Sequence, residues 1–215
     1  QGKEMFYDND VVKFREISLR GPWTSGGIEF NYGVIGHAPS CAHPVDYKVE
    51  TKEDGSVSCY IGVMELLTRT RWMVEINLPK DAVWVRTRSF WHNYSGDFQP
   101  YYTWANSGVK VTDDMELIYP GTYTIGHDGV TTPYPVDEQG RDLSIYAEQG
   151  FGLDKSFHPG GTHKGYFGAY WAGEDFGVLH YALRDEKVGR KYFSWAQSEQ
   201  GNIWKDLLTD ESPQY

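Results

Sequence analysis

An all-β fold built from antiparallel sheets is what this sequence predicts, and three features predict it. Aromatic residues make up 16% of the 215 residues, with 8 Trp and 16 Tyr, while Leu is sparse. That balance favours pleated sheets over helix bundles. Apolar and polar residues alternate with a period of two in run after run, and Gly, Asp and Pro punctuate the runs. Long strands at this spacing suggest a large sandwich with irregular segments draped over one face or end.

Taken in order, the first strands are 45–53 and 56–64, which flank Asp54-Gly55, a two-residue hairpin signal. Val57, Cys59, Ile61 and Val63 alternate with Ser56, Ser58, Tyr60 and Gly62. Trp72, Val74, Ile76 and Leu78 alternate with Arg71, Met73, Glu75 and Asn77 until Pro79 ends the run. Val83, Val85 and Thr87 open another strand after a Lys80-Asp81 turn. Further strands are expected at 99–111, 116–119, 166–171, 177–183 and 191–196, with Gly173-Glu174-Asp175 turning one hairpin. The one helix candidate is 198–208. Between Thr122 and His163 the pattern becomes irregular and rich in Gly, Pro and Asp, which reads as functional loops. Among the tryptophans, Trp72 and Trp84 read as core, whereas Trp23, Trp171 and Trp195 sit beside small or polar residues and read as exposed.

Length and charge narrow the classes. All-β chains of this size commonly form one domain, so 1–215 is expected to be a single sandwich domain. A net charge of −10 lacks the basic footprint on which nucleic-acid binding relies. No apolar run reaches the roughly 18 residues of a bilayer span. The chain opens at Gln1 without Met or signal segment and stops at SPQY, so it is expected to be a piece of a longer polypeptide. Cys41 and Cys59 permit one disulfide without establishing it, and two unpaired buried thiols is the plainer reading.

The chemistry concentrates in 21–47, GPWTSGGIEFNYGVIGHAPSCAHPVDY, where Trp23, Glu29, Asn31, Tyr32, His37, His43 and Asp46 sit among glycines and prolines. The composition is that of a shaped loop, read here as the rim of a binding site. Glu29 is the expected acid/base: its paired glycines allow close approach by a ligand, and Ile28 and Phe30 would desolvate the carboxylate. His37 is expected to assist as a neutral-pH acid or hydrogen-bonding group. Metal binding is disfavoured, because His37 with His43, and His158 with His163, match neither helical i,i+4 spacing nor a Cys/His finger. No GxSxG elbow, Walker loop, HExxH or GxGxxG is present, and no cofactor is called for.

In YYTWANSG, Trp104 and Asn106 share one strand face. Rings stack on sugar faces while amides and carboxylates satisfy hydroxyls, so this combination argues for an oligo- or polysaccharide ligand. Trp23, Asn31, Trp104, Asn106, Trp171 and Trp195 are the expected substrate contacts. Asp206, Asp210 and Glu211 are candidates for the second carboxylate that glycoside hydrolysis needs, although a solvated helix end explains them more simply.

With GPWTSGGIEFNYGVIGH, PVDY, EDGSV, RWMVEINLP, YYTWANSGV, FGVLHYALRDEKVGRKYFSWA and IWKDLLTDESPQY laid out, the chain resembles a bacterial domain-of-unknown-function family. That family is common in gut Bacteroidetes and often found beside tetratricopeptide repeats, which the resemblance implies as a partner within the same parent polypeptide. The resemblance implies a galactose-mutarotase-like supersandwich, a fold shared by sugar epimerases, polysaccharide lyases and glycoside-processing enzymes. It further implies a longer domain whose continuation beyond Tyr215 adds a strand with another acid. Fold alone assigns no activity. The mutarotase His/Glu pair does not carry over by motif, so Glu29 and His37 rest on local chemistry. The expected function is a glycosidase- or epimerase-like sugar-processing domain, with a non-catalytic carbohydrate-binding module as the alternative.

Overall fold

Period-two alternation organises two compact units, 8–108 and 1–7 with 109–215. The computed structural model describes residues 4, 6–9, 12–13, 23–24, 26–33, 36–37, 40, 43–150, 154–195, 197–199, 201–202 and 205. Every strand pairing among them is antiparallel, and the chain is an all-β sandwich protein.

In unit 8–108, β1 (Val12–Lys13) pairs with β2 (Trp23–Thr24), and β3 (Ile28–Tyr32) pairs with β8 (Thr103–Ser107). A four-stranded sheet runs in the order β4 (Asp46–Thr51), β5 (Val57–Glu65), β6 (Thr70–Leu78), β7 (Arg86–Asn93). Alternation sets its two faces. Trp72 and Val74 of β6 point inward and meet Tyr32 of β3, which stacks on Trp72 at 5.2 Å. Phe30, Ile61, Val63, Ile76 and Trp91 close around them, so two sheets share one apolar layer. The Tyr32 hydroxyl donates to Ser89 Oγ at 2.6 Å, giving this buried ring a polar partner.

The hairpin between β4 and β5 forms where the sequence places it, with a longer connection than the expected two residues. Lys52 N–H donates to the Ser56 carbonyl, and Gly55 N–H donates to the Lys52 carbonyl. Gly55 takes the left-handed φ of +82° that closes a three-residue loop of this kind. Two further corrections follow from pairing. The strand expected from Val83 starts at Arg86 and runs on to Asn93, and Trp84, expected in the core, is 51% exposed under the Arg86 guanidinium. The strand expected over 99–111 is confined to Thr103–Ser107.

In unit 1–7 with 109–215, one sheet has the order β11 (Thr131–Pro133), β10 (Tyr123–Ile125), β12 (Asp154–Gly160), β15 (Tyr192–Trp195). The other has the order β14 (Phe176–Tyr181), β13 (Tyr166–Trp171), β9 (Met115–Ile118). Met115, Leu117, Leu143, Phe157, Ala169, Trp171 and Tyr192 fill the layer between them. The stretch 122–163, expected to be loops, contributes three of these strands; β10 and β11, of three residues each, are too short to carry a visible period, and β12 combines Asp, Lys, Ser, Pro and Gly with no regular apolar alternation. A one-turn 3₁₀ helix at Ala172–Glu174 and a left-handed Asp175 turn the β13–β14 hairpin at the expected place. The expected helix at 198–208 is represented by the Asn202 N–H to Ser198 carbonyl bond and by Ser198 Oγ capping Gly201 N–H; most of it lies outside the described residues.

Candidate active site

Glu29 lies on a strand, not in the loop that its glycines suggest. Phe30 and Tyr32 commit one face of β3 to the apolar layer, so alternation sends Glu29 and Asn31 to the opposite face. Ile28 and Phe30 therefore cannot be the groups that desolvate Glu29, which corrects the sequence expectation. The cross-strand register supplies the real neighbours: Glu29 is opposite Asn106, and Asn31 is opposite Trp104. Four polar or aromatic side chains thus share one outward face of the β3–β8 pair.

His37 reaches this face from the segment after β3. Its Nδ1 lies 2.6 Å from Glu29 Oε1. Asn31 Nδ2 donates to the same oxygen at 2.9 Å, and Asn106 Nδ2 donates to Oε2 at 3.3 Å. A carboxylate only accepts, so Nδ1 carries the hydrogen of the His37 contact. The anion is enclosed by these partners, with its side chain 2% exposed against 14% for His37.

Trp104 anchors the segment that carries the imidazole. Its indole N–H donates to the Gly36 carbonyl at 3.0 Å, and its ring meets His37 edge-on at 4.7 Å. Gly36 adopts φ +106°, a conformation open to glycine at little cost and strained for a residue with a β-carbon. Gly33, at φ +78°, turns the chain out of β3 while its N–H extends the ladder to the Tyr102 carbonyl. Tyr102 is 44% exposed and two residues before Trp104, so alternation assigns it to the Glu29 face, whereas Tyr101 contacts Trp91 on the other. Sequence reasoning missed Tyr102, although the same i±2 rule that grouped Trp104 with Asn106 could have found it.

Five of the expected site residues therefore converge: Glu29, Asn31, His37, Trp104 and Asn106. Two belong elsewhere. Trp171, expected to be exposed, is 7% exposed in the core of the other unit, and its N–H donates to the Lys110 carbonyl. It is on the inward face of β13 with Ala169, where a large ring fills the layer. Trp195 is half-buried on β15 of that unit, its carbonyl accepting from the Tyr146 hydroxyl. The Trp23 side chain, Cys41, Asp206, Asp210 and Glu211 lie outside what is described; Cys59 is a free thiol. No group of three or more His, Cys, Asp or Glu side chains able to hold a metal occurs among the described residues. No helix among them is long and apolar enough to cross a membrane.

An antiparallel β-sandwich protein carrying an enclosed carboxylate–imidazole pair on an outer sheet face is the class that this architecture defines. The chain belongs to the family described as Domain of unknown function (DUF5107), which matches residues 1–215. It is also similar to the crystal structure of a TPR-domain containing protein from Parabacteroides distasonis ATCC 8503. The two share 22% sequence identity at a TM-score of 0.82, over 98% of this chain and 35% of that one. The likeness is one of fold, and this chain spans about a third of the length of that protein.

Proposed function

We propose that the outer face of the β3–β8 pair is a carbohydrate-processing site in which His37 transfers protons and Glu29 orients it. The observation that carries this is the 2.6 Å contact between His37 Nδ1 and Glu29 Oε1. A carboxylate accepting from Nδ1–H selects one imidazole tautomer and directs the lone pair to Nε2, the nitrogen that then gives or takes a proton. It also stabilises the imidazolium that forms when Nε2 accepts one. Asn31 and Asn106 hold the carboxylate in place, so the pair is preorganised before a substrate arrives. This shifts the roles relative to the sequence expectation, which gave Glu29 the acid/base work: Glu29 is too enclosed to touch a ligand, and His37 is the member nearer solvent.

The surroundings support a sugar. Tyr102 offers an exposed ring for stacking on a pyranose face, and Asn106 offers a planar amide at the rim. Galactose-mutarotase-like architecture and a place beside tetratricopeptide repeats in the parent polypeptide belong to the same proposal, the latter supported by the repeat-containing protein of similar fold. The test is a panel of free sugars and glycans assayed for anomer interconversion and for release of reducing ends. His37→Ala is expected to lower turnover by about 10²–10⁴-fold while glycan binding stays within a few-fold. Unchanged turnover would exclude the dyad.

The enclosure of Glu29 favours a second reading, a sugar-binding module without chemistry. Binding by the wild type with no turnover of any bound glycan, and equal binding by Glu29→Gln, would establish it instead.

A further inference from the structure

The outward face of the β4–β7 sheet has a different chemistry. Residues that alternate with the core positions point away from Tyr32 and Trp72. On β7 these are Arg86, Arg88, Phe90 and His92, all exposed, and on β6 they include Arg71, also exposed. Arg86 and Arg88 are two positions apart on one strand, hence roughly 7 Å along it. Neither Arg71 nor Arg86 has an acidic partner among the described residues. This concentration stands out on a chain of net charge −10.

The acid at the centre of this half of the face does not offset them. Glu75 is 6% exposed, and Oε1 accepts from Lys52 Nζ at 2.6 Å, Ser58 Oγ at 2.8 Å and the Tyr60 hydroxyl at 3.1 Å. Arg88 Nη1 is 3.8 Å from Oε2. The carboxylate is therefore neutralised by its neighbours, and what the β7 edge of the face presents outward is guanidinium and ring. Asp46 and Glu50 lie on β4, at the far edge. Between the two halves, Gly62 faces Met73, which faces Phe90. Gly62 adds no side chain between Tyr60 and Met64 on this face. A β-carbon there would sit 2.5 Å from the Trp72 carbonyl oxygen, so close strand approach keeps this position glycine.

We propose that this face binds an acidic polysaccharide, with Arg71, Arg86 and Arg88 taking its carboxylate or sulfate groups and Phe90 lying against the sugar rings. Guanidinium pairs bidentately with such anions, and alternation of charge with apolar surface matches a chain that carries about one anion per sugar ring. A nucleic acid fits less well, because its denser charge would meet more of the repulsion of the whole acidic molecule than a glycan with about one anion per ring. The proposal is separate from the His37–Glu29 site, which lies on the outward face of the other sheet of the unit.

The test is calorimetric titration of the whole chain with polygalacturonate, chondroitin sulfate, neutral dextran and a single-stranded oligonucleotide. Polygalacturonate or chondroitin sulfate is expected to bind, and to weaken when salt rises from about 20 to about 200 mM. The double variant Arg71→Ala with Arg86→Ala should weaken it by about tenfold or more, since both side chains are exposed and their loss leaves the Glu75 network whole. His37→Ala should leave it unchanged, which separates failure here from failure of the dyad. No binding of either acidic glycan, equal binding of dextran, equal binding of the oligonucleotide, or indifference to the double substitution would each overturn the proposal.

Discussion

Trp104 shows how one side chain can decide the geometry of another. Its N–H holds the Gly36 carbonyl and its ring abuts His37, so the imidazole is positioned by a residue that need not touch substrate. Trp104→Phe keeps an aromatic ring, smaller than the indole, and removes the donor. The orphaned carbonyl should cost about 1–3 kcal/mol in urea unfolding. In the assay that detects turnover, kcat should fall more than KM rises, because the defect lies in the orientation of His37 rather than in glycan contact. Equal stability together with unchanged kcat would show that the Gly36 contact has no positioning role. The identities of these residues were legible in the sequence, since Glu29, His37, Trp104 and Asn106 stand out by chemistry. Their mutual arrangement was not, because it depends on a register between strands separated by about seventy residues, and no local pattern encodes that pairing.

At the scale of the element, the β5–β6 hairpin carries a pH dependence. Glu75 is held at about 2, first by the hydrogen bond from Lys52, then by Ser58 and Tyr60, against the opposing effect of its burial. The same bond holds Lys52 above its usual value, so the interaction is counted once. A folded value below the unfolded one means that the contribution is complete above pH ~4.5 and disappears as pH falls through about 2. With Lys52 and Arg88 partly solvated, screening reduces it to the order of 1–2 kcal/mol. Urea midpoints measured between pH 6 and pH 2 should therefore fall less steeply for Glu75→Gln than for the wild type, and parallel curves would refute the assignment. This element was the most legible in the chain. Trp72, Val74 and Ile76 alternate with Glu75 and Asn77 over a long run, whereas the three-residue strands Tyr123–Ile125 and Thr131–Pro133 offer no period to read and form because the first pairs with β12 and the second with the first.

For the whole molecule, the two apolar layers share no residue: one gathers around Trp72 and Val74, the other around Leu143, Phe157 and Trp171. Composition announced a sheet protein with a substantial core but not this division, because Trp171 beside the small Ala172 is buried and Trp84 beside valine is exposed, inverting the local cues. What decides is which strand face meets a second sheet. Leu143 tests the consequence, being wholly buried and outside any strand, with its carbonyl accepting from both Gln149 Nε2 and the Tyr192 hydroxyl. Leu143→Ala empties side-chain volume from that layer and keeps the backbone bonds, at a cost of about 2–5 kcal/mol. Hydrogen exchange followed by mass spectrometry should then show faster opening of β9, β12, β13 and β15. The β3–β8 pair, whose strands pack on the other layer, provides the internal reference, and an equal rise in exchange there would show that the two layers open as one cooperative body.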